Sequence, residues 1–127
     1  MSQRGQALII LIVAVSIALL VLSSTVLRVI GQAKISSRSN LAQKVYYAAE
    51  TGAEYGILKI MRNPAGCSGS ENLTVASANL VISYDVAGSS CQVTSEATQQ
   101  TITKRFQVEG SYDSNQIFQF CCWKEIP

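Results

Sequence analysis

Hydrophobic and polar positions along the chain follow three successive patterns. No charged residue occurs across residues 6–27, and within residues 7–22 Ser16 is the only polar one. A helix of this length matches the roughly 20 residues needed to cross a hydrocarbon core about 30 Å thick. The aliphatic side chains of Leu8 to Val13, Val15, Ile17 and Leu19 to Leu22 contribute on the order of 4 to 7 kcal/mol towards insertion, an upper bound because terminal positions count for less. A core helix of a chain this short would carry a polar face, so the pattern predicts a membrane span.

From residue 36 to residue 62 there is no Pro, and apolar or small residues recur at helical spacing. Leu41, Val45, Ala48, Ala49, Gly52, Ala53, Gly56, Ile57 and Ile60 line one face, while Arg38, Lys44, Glu50, Glu54 and Lys59 fall mostly elsewhere. The apolar span therefore continues into an amphipathic helix. Gly31 weakens it by about 1 kcal/mol relative to Ala and marks an expected soft spot or bend. Gly52 and Gly56 are candidates for close helix packing, either against another subunit or against the chain's own sheet. Asn63-Pro64-Ala65-Gly66 then supplies a stop signal.

Beyond the stop the period changes to two. Leu80, Ile82, Tyr84 and Val86 alternate with polar neighbours, a turn follows at residues 87–90, and Cys91, Val93, Ser95 and Ala97 alternate again. A further run places Ile102, Phe106, Val108, Gly110 and Tyr112 opposite Thr103, Arg105, Gln107, Glu109 and Ser111. Residues 117–123 read as a last strand with Phe118, Phe120 and Cys122 on one face, and residues 73–77 as a weak first strand. A small sheet must bury its apolar face, and the amphipathic helix is the available partner. The expected fold is α+β, a long N-terminal transmembrane and amphipathic helix packed on a small antiparallel β-sheet head. Its divisions are residues 1–5, a transmembrane half at 6–30, an amphipathic half at 31–63 and the head at 64–127.

Composition narrows the function. Of the 127 residues, about a hundred lie outside the apolar span, enough for one small domain. The net charge of +2 is spread over dispersed basic residues, which gives no nucleic-acid footprint. With no His and only scattered carboxylates, the usual general base and the commonest metal ligand are missing. The expectation is a protein that is not an enzyme, with no cofactor, no catalytic residues and no metal site. Ser89, Ser90 and Ser95 read as turn or strand residues, and Trp123 as a cover for the edge of the core.

All four cysteines lie beyond the span, and none of their spacings has the two-residue gap of zinc or redox motifs. Disulfides in an oxidising compartment fit better. In an antiparallel meander the start of the first strand and the start of the third lie at the same end of the sheet, so Cys67 and Cys91 form the candidate disulfide. Cys121 and Cys122 stay unassigned, because adjacent strand residues point to opposite faces.

Arg4-Gly5 followed by Gln6-Ala7-Leu8-Ile9-Ile10-Leu11-Ile12 resembles the class III signal of type IV prepilins. The run Tyr46-Tyr47-Ala48-Ala49-Glu50-Thr51-Gly52-Ala53-Glu54-Tyr55-Gly56 is similar to a segment of minor pilins of the PilX type and of related pseudopilins. Cys91 to Ala97 with Lys104 to Val108 resembles the hairpin that closes many small heads in that group. The resemblance implies a prepilin leader, residues 1–5, removed between Gly5 and Gln6 by a prepilin peptidase. It also implies assembly with other pilin or pseudopilin subunits through the N-terminal helix.

One position departs from the pattern. Most major pilins carry Glu at the fifth mature residue, where this chain has Ile10. In the family picture that carboxylate meets the N-terminal ammonium of a neighbouring subunit inside an apolar core, where an unpaired charge is expensive. Ile10 thus implies a minor or tip-associated subunit. The expected function is a structural minor pilin or pseudopilin subunit of a type IV pilus or type II secretion system. The alternative is a single-span anchored extracytoplasmic binding domain that never polymerises.

Topology follows from two opposed signals. Arg28, Lys34, Arg38 and Lys44 come after the span, and counting positive charges alone would place that side in the cytoplasm. Prepilin processing requires the N-terminus inside, and the cysteines suit an oxidising exterior. The expected location is the bacterial cytoplasmic membrane, in contact with lipid, with the head extracytoplasmic.

Overall fold

The structure, a computed structural model, describes residues 3–113, 115 and 117–127. One helix, α1 (Gln3–Arg62), precedes a 3-10 turn at Pro64–Gly66 and five strands. The strands are β1 (Gly69–Val75), β2 (Ala78–Ala87), β3 (Ser90–Gln99), β4 (Ile102–Tyr112) and β5 (Phe118–Ile126). The chain divides into two compact units, residues 1–39 and residues 40–127.

In the first unit, α1 is helical without interruption through Gly31, and residues 5–40 are all exposed. The hydroxyls of Ser16, Ser23, Ser24 and Thr25 in the apolar stretch bond to carbonyls of their own helix. Ser16 donates to the Ile12 carbonyl at 2.8 Å, Ser23 to Leu19 at 2.8 Å, and Thr25 to Val21 at 2.9 Å. Such back-bonding leaves no hydroxyl proton unpaired in an apolar medium. The segment is long and apolar enough to cross a membrane.

The second unit is the head. Its sheet is an antiparallel meander in the order β1-β2-β3-β4-β5. The first three hairpins close on two-residue turns, with Val75 facing Ala78, Ala87 facing Ser90 and Gln99 facing Ile102. Ala76 and Ser77 both take positive φ, 49° and 68°, as the twist of a tight hairpin requires. Gly88 (66°) and Gln100 (56°) supply the positive φ in the next two turns.

One face of the sheet packs on the C-terminal part of α1. Val45, Ala48, Ala49, Ala53, Ile57 and Ile60 from the helix meet Leu80, Ile82, Tyr84, Val93, Ala97, Phe106 and Val108 from the sheet. The approach is close because glycines stand at the contact. A Cβ on Gly52 would collide with Ser95 and Leu80, and one on Gly56 with Val93. The helix ends where the Asn63 amide donates to the Lys59 carbonyl at 3.0 Å, and Tyr112 Oη donates to the otherwise orphaned Ile60 carbonyl at 3.1 Å.

Two details differ from the sequence pattern. β1 begins at Gly69, upstream of residue 73, and has no fully buried residue, so alternation could not reveal its start. β5 runs on to Ile126 through a bulge: Gln107 faces Lys124 and Glu109 faces Cys121, so Cys122 and Trp123 together oppose Val108. Cys122 takes φ 65° there. The extra residue moves Cys122 out of the Phe118 and Phe120 face and brings Trp123 into it, 6.0 Å from the Phe106 ring.

Candidate functional site

Residues 8–30 present a long exposed apolar surface. Leu8, Ile9, Ile10, Leu11 and Ile12 project from α1, with Ile10 65% exposed. Ala7, Ala14 and Ala18 recess the helix surface and form a shallow apolar groove with Ile10, Leu11 and Val15. Small residues at that spacing permit another apolar helix to approach closely. Gly5 and Gln6 lie within α1 and are exposed, whereas Met1, Ser2 and the Arg4 side chain fall outside the described residues.

The head carries a second apolar stripe. Tyr47, Tyr55, Leu58 and Met61, each 45% exposed or more, fall on the α1 face opposite the one that meets the sheet. Sequence reasoning assigned that side to charge. Glu50, Glu54 and Lys59 do border it, but the recurrence of apolar residues at 47, 55, 58 and 61 is the available signal. Gly52 and Gly56 are on the other face, filled by the sheet of the same chain.

Cysteines occupy two settings. Cys67 and Cys91 are disulfide-bonded with Cα atoms 5.9 Å apart, both nearly buried, tying the segment after the helix to the start of β3. Cys121 and Cys122 are disulfide-bonded to each other on exposed β5. The opposite-face argument fails for this pair because the bulge at Cys122 breaks the alternation. The Glu109 carboxylate lies beside them, its oxygen and both sulfurs within 4.8 Å of one another. This is the one group of metal-capable side chains among the described residues.

Titration is perturbed at two phenols. Burial, with a smaller contribution from the Tyr55 charge, holds Tyr84 above its usual 10.0, and burial does the same to Tyr112. The surface ion pairs join Lys59 to Glu71, Lys104 to Glu125 at 2.6 Å and Arg105 to Glu96 at 2.5 Å. Exposed pairs of this kind fasten strand edges weakly, at about 0 to 1 kcal/mol each.

No family model, curated protein or solved structure matches the chain.

Proposed function

We propose that this chain is a structural subunit of a type IV pilus or type II secretion pseudopilus, a minor or tip-associated pilin processed by prepilin peptidase. The observation that carries the reading is the exposed apolar surface of residues 8–30, with its alanine-lined groove, on a chain whose head core is complete without it. A helix of that character needs lipid first and apolar neighbours afterwards. Transfer from the bilayer into a bundle of like helices is the mechanism, and no bond chemistry is required of the subunit itself.

The two apolar stripes have complementary parts in this scheme. The N-terminal stripe inserts in the bacterial cytoplasmic membrane with the N-terminus inside. The Tyr47, Tyr55, Leu58 and Met61 face gives the head its own contact to a neighbouring subunit. Ile10 stands where most major pilins carry a carboxylate, so this subunit makes no charge pair with the amine of a subunit ahead of it.

Cleavage between Gly5 and Gln6 tests the proposal. Intact mass of membrane-extracted protein made together with an active prepilin peptidase is expected to lack residues 1–5. A retained leader would remove the basis for the assembly reading and leave a non-polymerising anchored domain.

A further inference from the structure

The two disulfides of the head differ in what they can do for it. Cys67–Cys91 closes a separation of 24 residues and restrains the unfolded chain accordingly. Cys121–Cys122 closes a separation of 1 and restrains almost nothing. Its place in the fold is therefore not explained by stability.

Its surroundings point to chemistry. Adjacency fixes the Cα atoms 3.8 Å apart, below the roughly 4.4 to 6.8 Å of relaxed disulfides, and Cys122 is held in the left-handed region at φ 65°. Both cysteines are exposed on β5, an edge strand, so a thiol reaches the sulfurs without opening the core. Strained, accessible disulfides are the ones that exchange. The neighbouring Glu109 is half-buried on β4, and its pairing with Cys121 in the sheet register keeps its carboxylate on the same face as the sulfurs.

We propose that Glu109, Cys121 and Cys122 form a redox-gated site for a thiophilic divalent cation of the zinc class. Oxidised, the site is a closed disulfide and holds no ion. A dithiol reductant breaks the Sγ–Sγ bond by exchange: its two electrons and two protons pass to Cys121 and Cys122, and the reductant leaves as its own cyclic disulfide. The cation then displaces the two thiol protons to solvent and takes two thiolates and the Glu109 carboxylate, with water in the fourth position. Ligand atoms around a tetrahedral zinc stand about 3.3 to 3.8 Å apart. The 4.8 Å envelope of the three groups accommodates that after a small adjustment of the bulge. This inference rests on the head alone and is independent of filament assembly.

The experiment uses the full chain in detergent. Dithiothreitol is titrated in; at each step one portion is alkylated to locate the released thiols by peptide mass, and another, freed of reductant by desalting under nitrogen and left unalkylated, receives Cd(II) as a spectroscopic probe. The expected result is release of Cys121 and Cys122 at reductant levels that leave Cys67–Cys91 closed. One equivalent of Cd(II) then produces a thiolate charge-transfer band. The Cys121→Ser/Cys122→Ser variant is expected to lose the band, and Glu109→Gln to bind with an affinity lower by roughly tenfold or more. Simultaneous reduction of both disulfides, no band after selective reduction, or an undiminished band in either variant would overturn the proposal. Glu109→Gln, which alters no cysteine, keeps the test decisive if the double variant fails to fold.

Discussion

At the scale of residues, one side chain in the head, Tyr84, trades stability for geometry. Tyr84 is nearly fully buried, and its hydroxyl has no hydrogen-bond partner among the described residues. Its ring still packs in the core and lies 5.4 Å from the Lys59 ammonium. Tyr84→Phe keeps the ring and removes the orphaned group, so unfolding free energy is expected to rise by about 1 kcal/mol in denaturant titration. The same variant has a pH signature. Because the folded pKa is raised, the neutral phenol's contribution is intact below pH 10.0 and is lost as pH climbs through the raised value. Wild type is expected to lose stability as pH rises above 10.0, and Tyr84→Phe to lose less, the remainder belonging partly to Tyr112. Ile10 carries the residue-scale prediction for assembly. Ile10→Glu adds a charge that costs up to about 3 kcal/mol at a helix centre, and less near the end of the span. At matched membrane levels, subunit incorporation into filaments is expected to fall or stay level. A clear gain would show that the missing carboxylate limits assembly and would sink the tip assignment.

At the scale of elements, one helix contains glycines of opposite effect. Gly31 has nothing within 4 Å of a built Cβ, whereas Gly52 stands against Ser95 and Leu80. Gly52→Ala is expected to destabilise the head by about 1 to 3 kcal/mol through overpacking, while Gly31→Ala leaves the head's melting unchanged. Circular dichroism melts of both variants in the same detergent would separate the cases. The element pattern also shows where sequence reasoning succeeds. The core face of α1 and the alternation of β2, β3 and β4 were legible because each has one face buried and one wet, the condition that gives periodicity meaning. The start of β1 is not legible in the sequence because the strand buries no residue fully, and its turn at Ala76-Ser77 uses neither Gly nor Asn. The far end of β5 departs from the sequence pattern for a different reason. A bulge shifts alternation by one, and nothing in Cys121-Cys122-Trp123 announces a left-handed residue. The Glu109 cluster depends on that bulge and on a cross-strand register, so it could not be read from spacing along the chain.

At the scale of the whole molecule, the disulfide between Cys67 and Cys91 links the end of the helix to the middle of the sheet. Replacing both cysteines with Ser is expected to cost about 3 kcal/mol, seen as a lowered denaturation midpoint of the head with no change in helix insertion. The strand order has a consequence for how such a head is made. Because β1 to β5 lie in the sheet in the order in which they occur in the chain, every strand that emerges finds its pairing edge already present, and α1 precedes them all. No gap waits for a late segment. On the proposed topology, with the head crossing after the helix, the sheet can acquire structure strand by strand, and its buried cross-link would be available once residue 91 had crossed. The last strand, bearing the adjacent cysteines, is added to a sheet that is already locked.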